Sequence, residues 1–281
     1  MLEEKQYEHI KVELPEQRDD QGNVIRAGTD GNYAVISLNR PDKLNAITIQ
    51  TVKEVANALE EMELDLDVRC VVLRGTKDYT KKPSFSTGQD LNALFLPGLK
   101  PDVPWHISQV IRRYHKYFDL IEEFPKPIIA AVDGYALGGG TELSLVCDLI
   151  IASKRSTFGF SEVLRGIFPA AGGTQRMIKF IGLARTTRML YFGERFDAER
   201  MHEWGLVTYL VEQEIFEDFV REKARMLGNA ATTSLIVMKR CIRFGTQVPT
   251  KIGLQFEQLG MGINYGAKDV QEGIKAFIKR K

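Results

Sequence analysis

Cysteine is scarce in this chain, with Cys70, Cys147 and Cys241 the only three in 281 residues. They are odd in number, far apart and set in apolar segments, so they read as reduced core residues and not as a disulfide framework or a metal cluster. Histidine is nearly as sparse. His9, His106, His115 and His202 show no paired ligand spacing, and no metal is expected. Net charge is almost absent, since 38 Lys+Arg stand against 37 Asp+Glu for a formal +1. That balance gives no general electrostatic reason to expect nucleic acid or an anionic membrane surface as a partner. No apolar run is long enough to span a bilayer, and Met1-Leu2-Glu3-Glu4-Lys5 lacks an apolar signal core. The expectation is a cytoplasmic protein that meets any anionic ligand through local groups.

What is present is apolar substance and glycine at chosen places. At 44% hydrophobic, the chain can bury one large core, alone or with a smaller appendage. Ile10, Val12 and Leu14 alternate like a strand, residues 19–23 form a turn, and residues 23–26 are expected to run back as the second arm of an N-terminal hairpin. Residues 33–38 are a firmer strand. Thr48 is placed to cap a helix reaching about Met62, and residues 70–73 form a short buried strand. Pro97, Gly98, Pro101 and Pro104 make residues 94–105 an expected irregular loop, after which helical spacing runs from 107 to 124 and stops at Pro125 and Pro127. From about Glu214 the pattern is wholly helical, in four segments: 216–227, 231–244, 251–264 and 268–278. The chain therefore divides into residues 1–213, a core carrying the N-terminal β-hairpin, and residues 214–281, a helical region expected to pack on a neighbouring copy.

Three turns in the first part share one chemistry. Residues 128–132 read as a buried strand, Gly138-Gly139-Gly140 follow, and an apolar helix opens at about Gly140 with Glu142 in its first turn. Glycines here allow positive φ or close approach of a ligand to the main chain. The first amides of a helix lack intrahelical partners and favour developing negative charge. Residues 84–91 turn in the same way at Gly88. Phe160-Ser161-Glu162 ends a strand at a carboxylate, and residues 169–174 lead into a helix through Phe180. Repeated strand, turn and helix units point to stacked α/β layers with parallel sheets and a functional edge at the strands' carboxyl ends. The triplet is not a dinucleotide fingerprint, because its spacing and the downstream acid are absent.

From Asp133 to Glu142, at Phe160-Ser161-Glu162 and at Gly172-Gly173-Thr174-Gln175-Arg176, the sequence strongly resembles the crotonase (enoyl-CoA hydratase/isomerase) superfamily over residues 33–277. The resemblance implies an α/β fold built as a spiral of ββα units with a C-terminal helical trimerisation region. It also implies a homo-oligomer (a trimer or a dimer of trimers), acyl-CoA substrates, and no cofactor beyond the coenzyme A that the substrate carries. It places an oxyanion hole on the backbone amides of Gln89 and Gly139. The two catalytic carboxylates fall on Glu142 and Glu162, and a water-contacting backbone amide on Ala170, where the family has glycine. CoA contacts fall on Lys43, Leu44, Ser86, Gly88, Asp90, Phe277 and Arg280. Gln89 departs from the small residue common at its position, and Asn92 from a lysine that some hydratases use near the nucleotide.

The implied chemistry is reversible addition of water to a 2-enoyl-CoA thioester through a stabilised enolate, giving a 3-hydroxyacyl-CoA. Two carboxylates sharing one water suit that reaction, with Glu162 as the principal acid/base group and Glu142 orienting the water. Hydration of a cyclic ene- or diene-carboxyl-CoA is the alternative suggested by the proline-rich segment and Trp105. An enoyl-CoA isomerase would need only one base, and a non-catalytic scaffold would need neither glutamate. Arg112, Arg113, His115 and Lys116 read as a solvated helix face, and Ser144 and Ser161 have no evident histidine base.

Overall fold

The computed structural model describes residues 7–94, 100 and 102–279. In chain order the elements are β1 (Ile10–Glu13), β2 (Gln17–Arg18), β3 (Val24–Arg26), β4 (Tyr33–Leu38), α1 (Ile49–Met62), β5 (Cys70–Gly75) and β6 (Ser84–Ser86). Next come α2 (Pro104–Glu123), β7 (Ile128–Val132), β8 (Tyr135–Leu137), α3 (Gly139–Leu145), β9 (Leu149–Ser153), β10 (Thr157–Gly159), α4 (Gly173–Ile181) and α5 (Leu183–Phe192). Then β11 (Arg195–Asp197), α6 (Ala198–Glu203), β12 (Tyr209–Val211), α7 (Phe216–Gly228), α8 (Thr232–Gly245), α9 (Thr250–Tyr265) and α10 (Lys268–Lys279) complete the described chain.

A six-stranded sheet runs β1-β4-β5-β7-β9-β12 and a four-stranded one runs β11-β10-β8-β6. Successive strands β5 and β6, β7 and β8, and β9 and β10 each place one strand in the first sheet and the next in the second, and a helix follows. This is the ββα spiral. Along the large sheet, Ala34, Ile36, Val71, Leu73, Ile128 and Ala130 enter one apolar cluster, which α1 and α2 complete. Their alternating neighbours Tyr33, Cys70, Val72, Ile129 and Ala131 enter a second with Phe216, Val220 and Ala224 of α7. Burial on both faces is why these strands read as apolar runs and not as alternating patterns.

Thr48 caps α1 through a reciprocal box, accepting from the Thr51 amide at 3.1 Å and donating its own amide to Thr51 Oγ1 at 3.2 Å. Helix α2 begins at Pro104, earlier than expected, because proline lacks only an amide that a first helical position does not use. Residues 95–99 and 101 of the expected loop lie outside the described residues. The N-terminal hairpin exists with a different first arm: β3 pairs with Gln17–Arg18, while Ile10–Glu13 pairs antiparallel with β4 and buries Ile10 in the main core. Strand β8, hidden in what reads as a turn, is three residues long and too short to show a period. Cys147 lies just after α3, and the strand that follows begins at Leu149. Helix α7 covers the large sheet, whereas no residue of α8 to α10 enters either apolar cluster. Among the described residues, no helix is long and apolar enough to cross a membrane.

Candidate active site

The parallel pairing of β6, β8 and β10 sets their carboxyl ends side by side, with Ser86 opposite Ala136 and Leu137 opposite Gly159. The three turns leaving those ends build the site. Gly88 has φ +93, and a Cβ there would lie 2.6 Å from the Leu137 carbonyl and 3.1 Å from the Gly139 nitrogen. The second turn therefore packs main chain to main chain on the first. Around Gln89, Gly88 N donates to Ser86 Oγ at 3.1 Å and Asp90 N to the Ile47 carbonyl at 2.8 Å. Gly138 N donates to the Gly159 carbonyl at 2.8 Å. Between them, the amides of Gln89 and Gly139 donate to none of the hydrogen bonds among the described residues. The Gln89 nitrogen lies 3.5 Å from where a Cβ on Gly139 would stand. Two neighbouring unpaired amides, one at the start of α3, are suited to hold an oxygen that becomes negative.

Gly138 has φ +52, and a Cβ on it would come within 2.4 Å of Glu162 Oε1. The glycine is needed both for the turn and for the space that Glu162 occupies. Glu162 follows β10 and opens a 3₁₀ turn at Val163–Arg165. Its Oε2 is buried and has no hydrogen-bond partner among the described residues. Unpaired buried acceptors are rare, and this one belongs to a side chain that lines the cleft described below. Burial pushes the Glu162 carboxyl up, opposed by its own backbone amide and Arg165.

Glu142 is held quite differently. It is only 3% exposed, and its Oε1 accepts from the amides of Ala171 and Gly173, each at 2.8 Å. Burial pushes this carboxyl up to about 7; the charge of Glu162 adds to the effect, while the two amides and Arg176 oppose it. One oxygen is thus immobilised by two amides, and burial favours the protonated form of the carboxyl well above its ordinary range. Ala170 begins the turn that supplies these amides. Its own amide makes none of the described hydrogen bonds, and its carbonyl accepts from His115 Nε2 at 2.6 Å.

A cleft of about 570 Å³ opens over Gly88, Gln89, Leu137, Gly138 and Glu162. Leu44 lines its mouth in the left-handed region, φ 51, and Lys81, Lys82, Arg165 and Arg195 bring positive charge to its rim. Of the residues expected at the ligand, Gln89, Gly88, Leu44 and Glu162 line this space, Gly139 adjoins the lining residue Gly138, Glu142 donates its amide to the Gly138 carbonyl, and Ala170 is not part of the lining. Lys43 is exposed at the end of a 3₁₀ turn and does not line the cleft. Ser86 is fully buried, with its hydroxyl accepting from Gly88 N, and Asp90 is paired with Arg40 at 2.9 Å. Both build the turn. Phe277 lies exposed on α10, away from the cleft lining, and Arg280 lies outside the described residues. The Gln89 side chain donates to the Asp90 carbonyl at 3.3 Å and contacts Tyr114 of α2, where a small residue would leave space. The rim cations come from three separate segments with no common spacing, so only the fold reveals them; His115, read as part of a solvated charge run, was likewise invisible.

A family model described as enoyl-CoA hydratase/isomerase matches residues 28–281. The short-chain-enoyl-CoA hydratase of Clostridium acetobutylicum is 31% identical over 256 residues, covering 90% of this chain and 93% of the relative. The (E)-benzylidenesuccinyl-CoA hydratase of Thauera aromatica is 32% identical over 250 residues, covering 89% and 94%. The crystal structure of an enoyl-CoA hydratase from Bacillus anthracis matches with a TM-score of 0.84 at 30% identity, covering 98% of this chain and 97% of that one.

Proposed function

Because the chain belongs to the enoyl-CoA hydratase/isomerase family, we propose that it is a hydro-lyase that adds water reversibly across the double bond of a 2-enoyl-CoA. The observation that carries this reading is the pair of unlike glutamates beside two unpaired amides. In the hydration direction the thioester oxygen accepts from Gln89 N and Gly139 N, which stabilises the enolate as it forms. A water held between Glu142 and Glu162 Oε2 attacks the β-carbon, its proton passes to Glu162, and Glu162 in turn delivers a proton to the α-carbon to give the 3-hydroxyacyl-CoA. Water enters and no group leaves. A lone shuttling base would suffice for double-bond isomerisation, so the second buried carboxylate, fixed by two amides, favours hydration. The coenzyme A phosphates fit the cationic rim of Lys81, Lys82, Arg165 and Arg195.

The test is the ultraviolet absorbance of crotonyl-CoA with purified protein. Loss of the conjugated-thioester band with 3-hydroxybutyryl-CoA as product is the expected result. Binding without turnover would move the acyl group to a cyclic or aryl class, for which 1-cyclohexenecarboxyl-CoA is the next substrate. Absence of binding to either thioester would overturn the reading.

A further inference from the structure

Against the 170–173 turn, where Gly172 forms part of its wall, lies a groove of about 740 Å³ that shares no lining residue with the cleft and whose walls include His115 and Asp119 of α2, Arg176 of α4 and Arg243 of α8. From this side His115 Nε2 reaches the Ala170 carbonyl at 2.6 Å. A carbonyl accepts, so the ring donates, and Nε2 carries the proton in this contact. The Ala170 carbonyl and the Ala171 amide belong to one peptide group, and that amide donates to Glu142 Oε1 at 2.8 Å. Imidazole, peptide and carboxylate therefore form an unbroken chain of two hydrogen bonds across a single planar unit.

Resting on the hydratase reading for its catalytic consequence, we propose that His115 is a positioning residue for Glu142, acting through the peptide that joins Ala170 to Ala171. A donor on the carbonyl fixes the plane of that peptide and polarises it, which strengthens its N–H toward the carboxylate. The next peptide is held similarly from the groove side, since Arg176 Nη1 donates to the Ala171 carbonyl at 3.2 Å. Arg176 is in turn bound by Glu122 and Asp119, and Glu122 also pairs with Arg243. The charged groups facing this region are Glu162 from the β10 side, Glu60 of α1 and Glu63 just after it, Asp119, Glu122 and Glu123 from α2, Arg176 and Lys179 from α4, and Lys239, Arg240 and Arg243 from α8. His115 differs from them in touching the turn through one replaceable donor. The ring is exposed, so replacing it leaves the core intact.

The experiment uses the full chain with carboxyl-13C glutamate, the Glu142 signal being assigned by its absence in Glu142→Gln. In His115→Leu the Glu142 midpoint is expected to rise by about half a unit, a factor of about three in its protonation equilibrium. In His115→Gln, which keeps a side-chain N–H, it should stay near the wild-type value. With crotonyl-CoA, the low-pH limb of kcat should move up with the midpoint while KM changes less than about twofold. An unchanged midpoint in His115→Leu, or equal shifts in both variants, overturns the proposal. So does an Nδ1–H tautomer for His115 in long-range 1H-15N spectra of the wild type at pH 8, a measurement that needs no variant. The carboxyl titration does not depend on turnover. A wild type inert toward acyl-CoA but showing the shift would therefore refute the hydratase reading alone, and an active enzyme without the shift would refute this proposal alone.

Discussion

Glu142 and Glu162 differ in what holds them, and their substitutions should separate accordingly. Glu162 has one buried oxygen with no partner, so its value lies in what arrives. Glu162→Gln should lower kcat for hydration by ~10²-fold or more while acyl-CoA binding persists, because an amide cannot exchange the proton. Stopped-flow turnover with calorimetric binding checks this, and normal turnover would remove Glu162 from the mechanism. Glu142 costs stability to keep ionised. Its carboxyl is raised from 4.5 to about 7, so the favourable contribution present below pH 4.5 is lost as the pH climbs through 7. Glu142→Gln keeps an oxygen for the Ala171 and Gly173 amides and removes the buried charge. It should raise stability at pH 8 by ~1–3 kcal/mol and change it little at pH 4.5, while reducing turnover. Thermal melts at the two pH values decide it; equal effects at both would mean that ionisation of Glu142 is not what costs the fold.

At the scale of elements, the site depends on turns meeting without side chains between them. Gly138→Ala would put a methyl group at φ +52 and 2.4 Å from Glu162 Oε1, which must move. The expected outcome is a loss of ~1–2 kcal/mol in denaturant unfolding together with a fall in kcat larger than that of Gly182→Ala. Gly182 also has positive φ, but a Cβ there meets nothing within 4 Å, so it isolates backbone strain from the displaced carboxylate. Equal effects of the two changes on kcat would sink the argument. Elements with strong local signals were legible in the sequence: the Thr48 cap, the buried strands of the large sheet and the four final helices. The three-residue strand at 135–137 was not, because it owes its extended form to neighbours brought by the spiral, which no local period encodes; the strand expected to end at Glu162 is present but already stops at Gly159. The turns and their carboxylates could be read because glycine placement and a family resemblance coincide there. Ala171, Gly173 and His115 could not, since their contributions are main-chain amides and a tertiary contact.

At the scale of the whole molecule, the question is what the last three helices are for. Helix α8 is fastened to the core: Lys239 pairs with Asp148 at 2.7 Å, and Arg243 reaches Glu122 at 2.9 Å and the Cys147 carbonyl at 2.8 Å. Helix α9 packs closely on α8, where a Cβ on Gly260 would stand 2.8 Å from Val237. The rest of its surface is a different matter, because Ile252, Leu254, Phe256, Leu259, Met261, Ile263 and Tyr265 are all exposed, Ile263 by 72%. Seven large apolar side chains on one helix exceed what a solvated surface ordinarily carries, and covering them would contribute far more than any rim ion pair. Ile252, Phe256, Leu259 and Ile263 share one side of the helix, and the homo-oligomer is the occupant we propose for it. Placing charge in it with Leu259→Glu and Ile263→Glu should convert the assembly to monomers in multi-angle light scattering, with the far-ultraviolet circular dichroism unchanged. The core clusters use neither residue, so the subunit fold should survive. A wild type that already runs as a monomer, or a double variant that keeps the wild-type mass, would show that α9 serves something other than self-association.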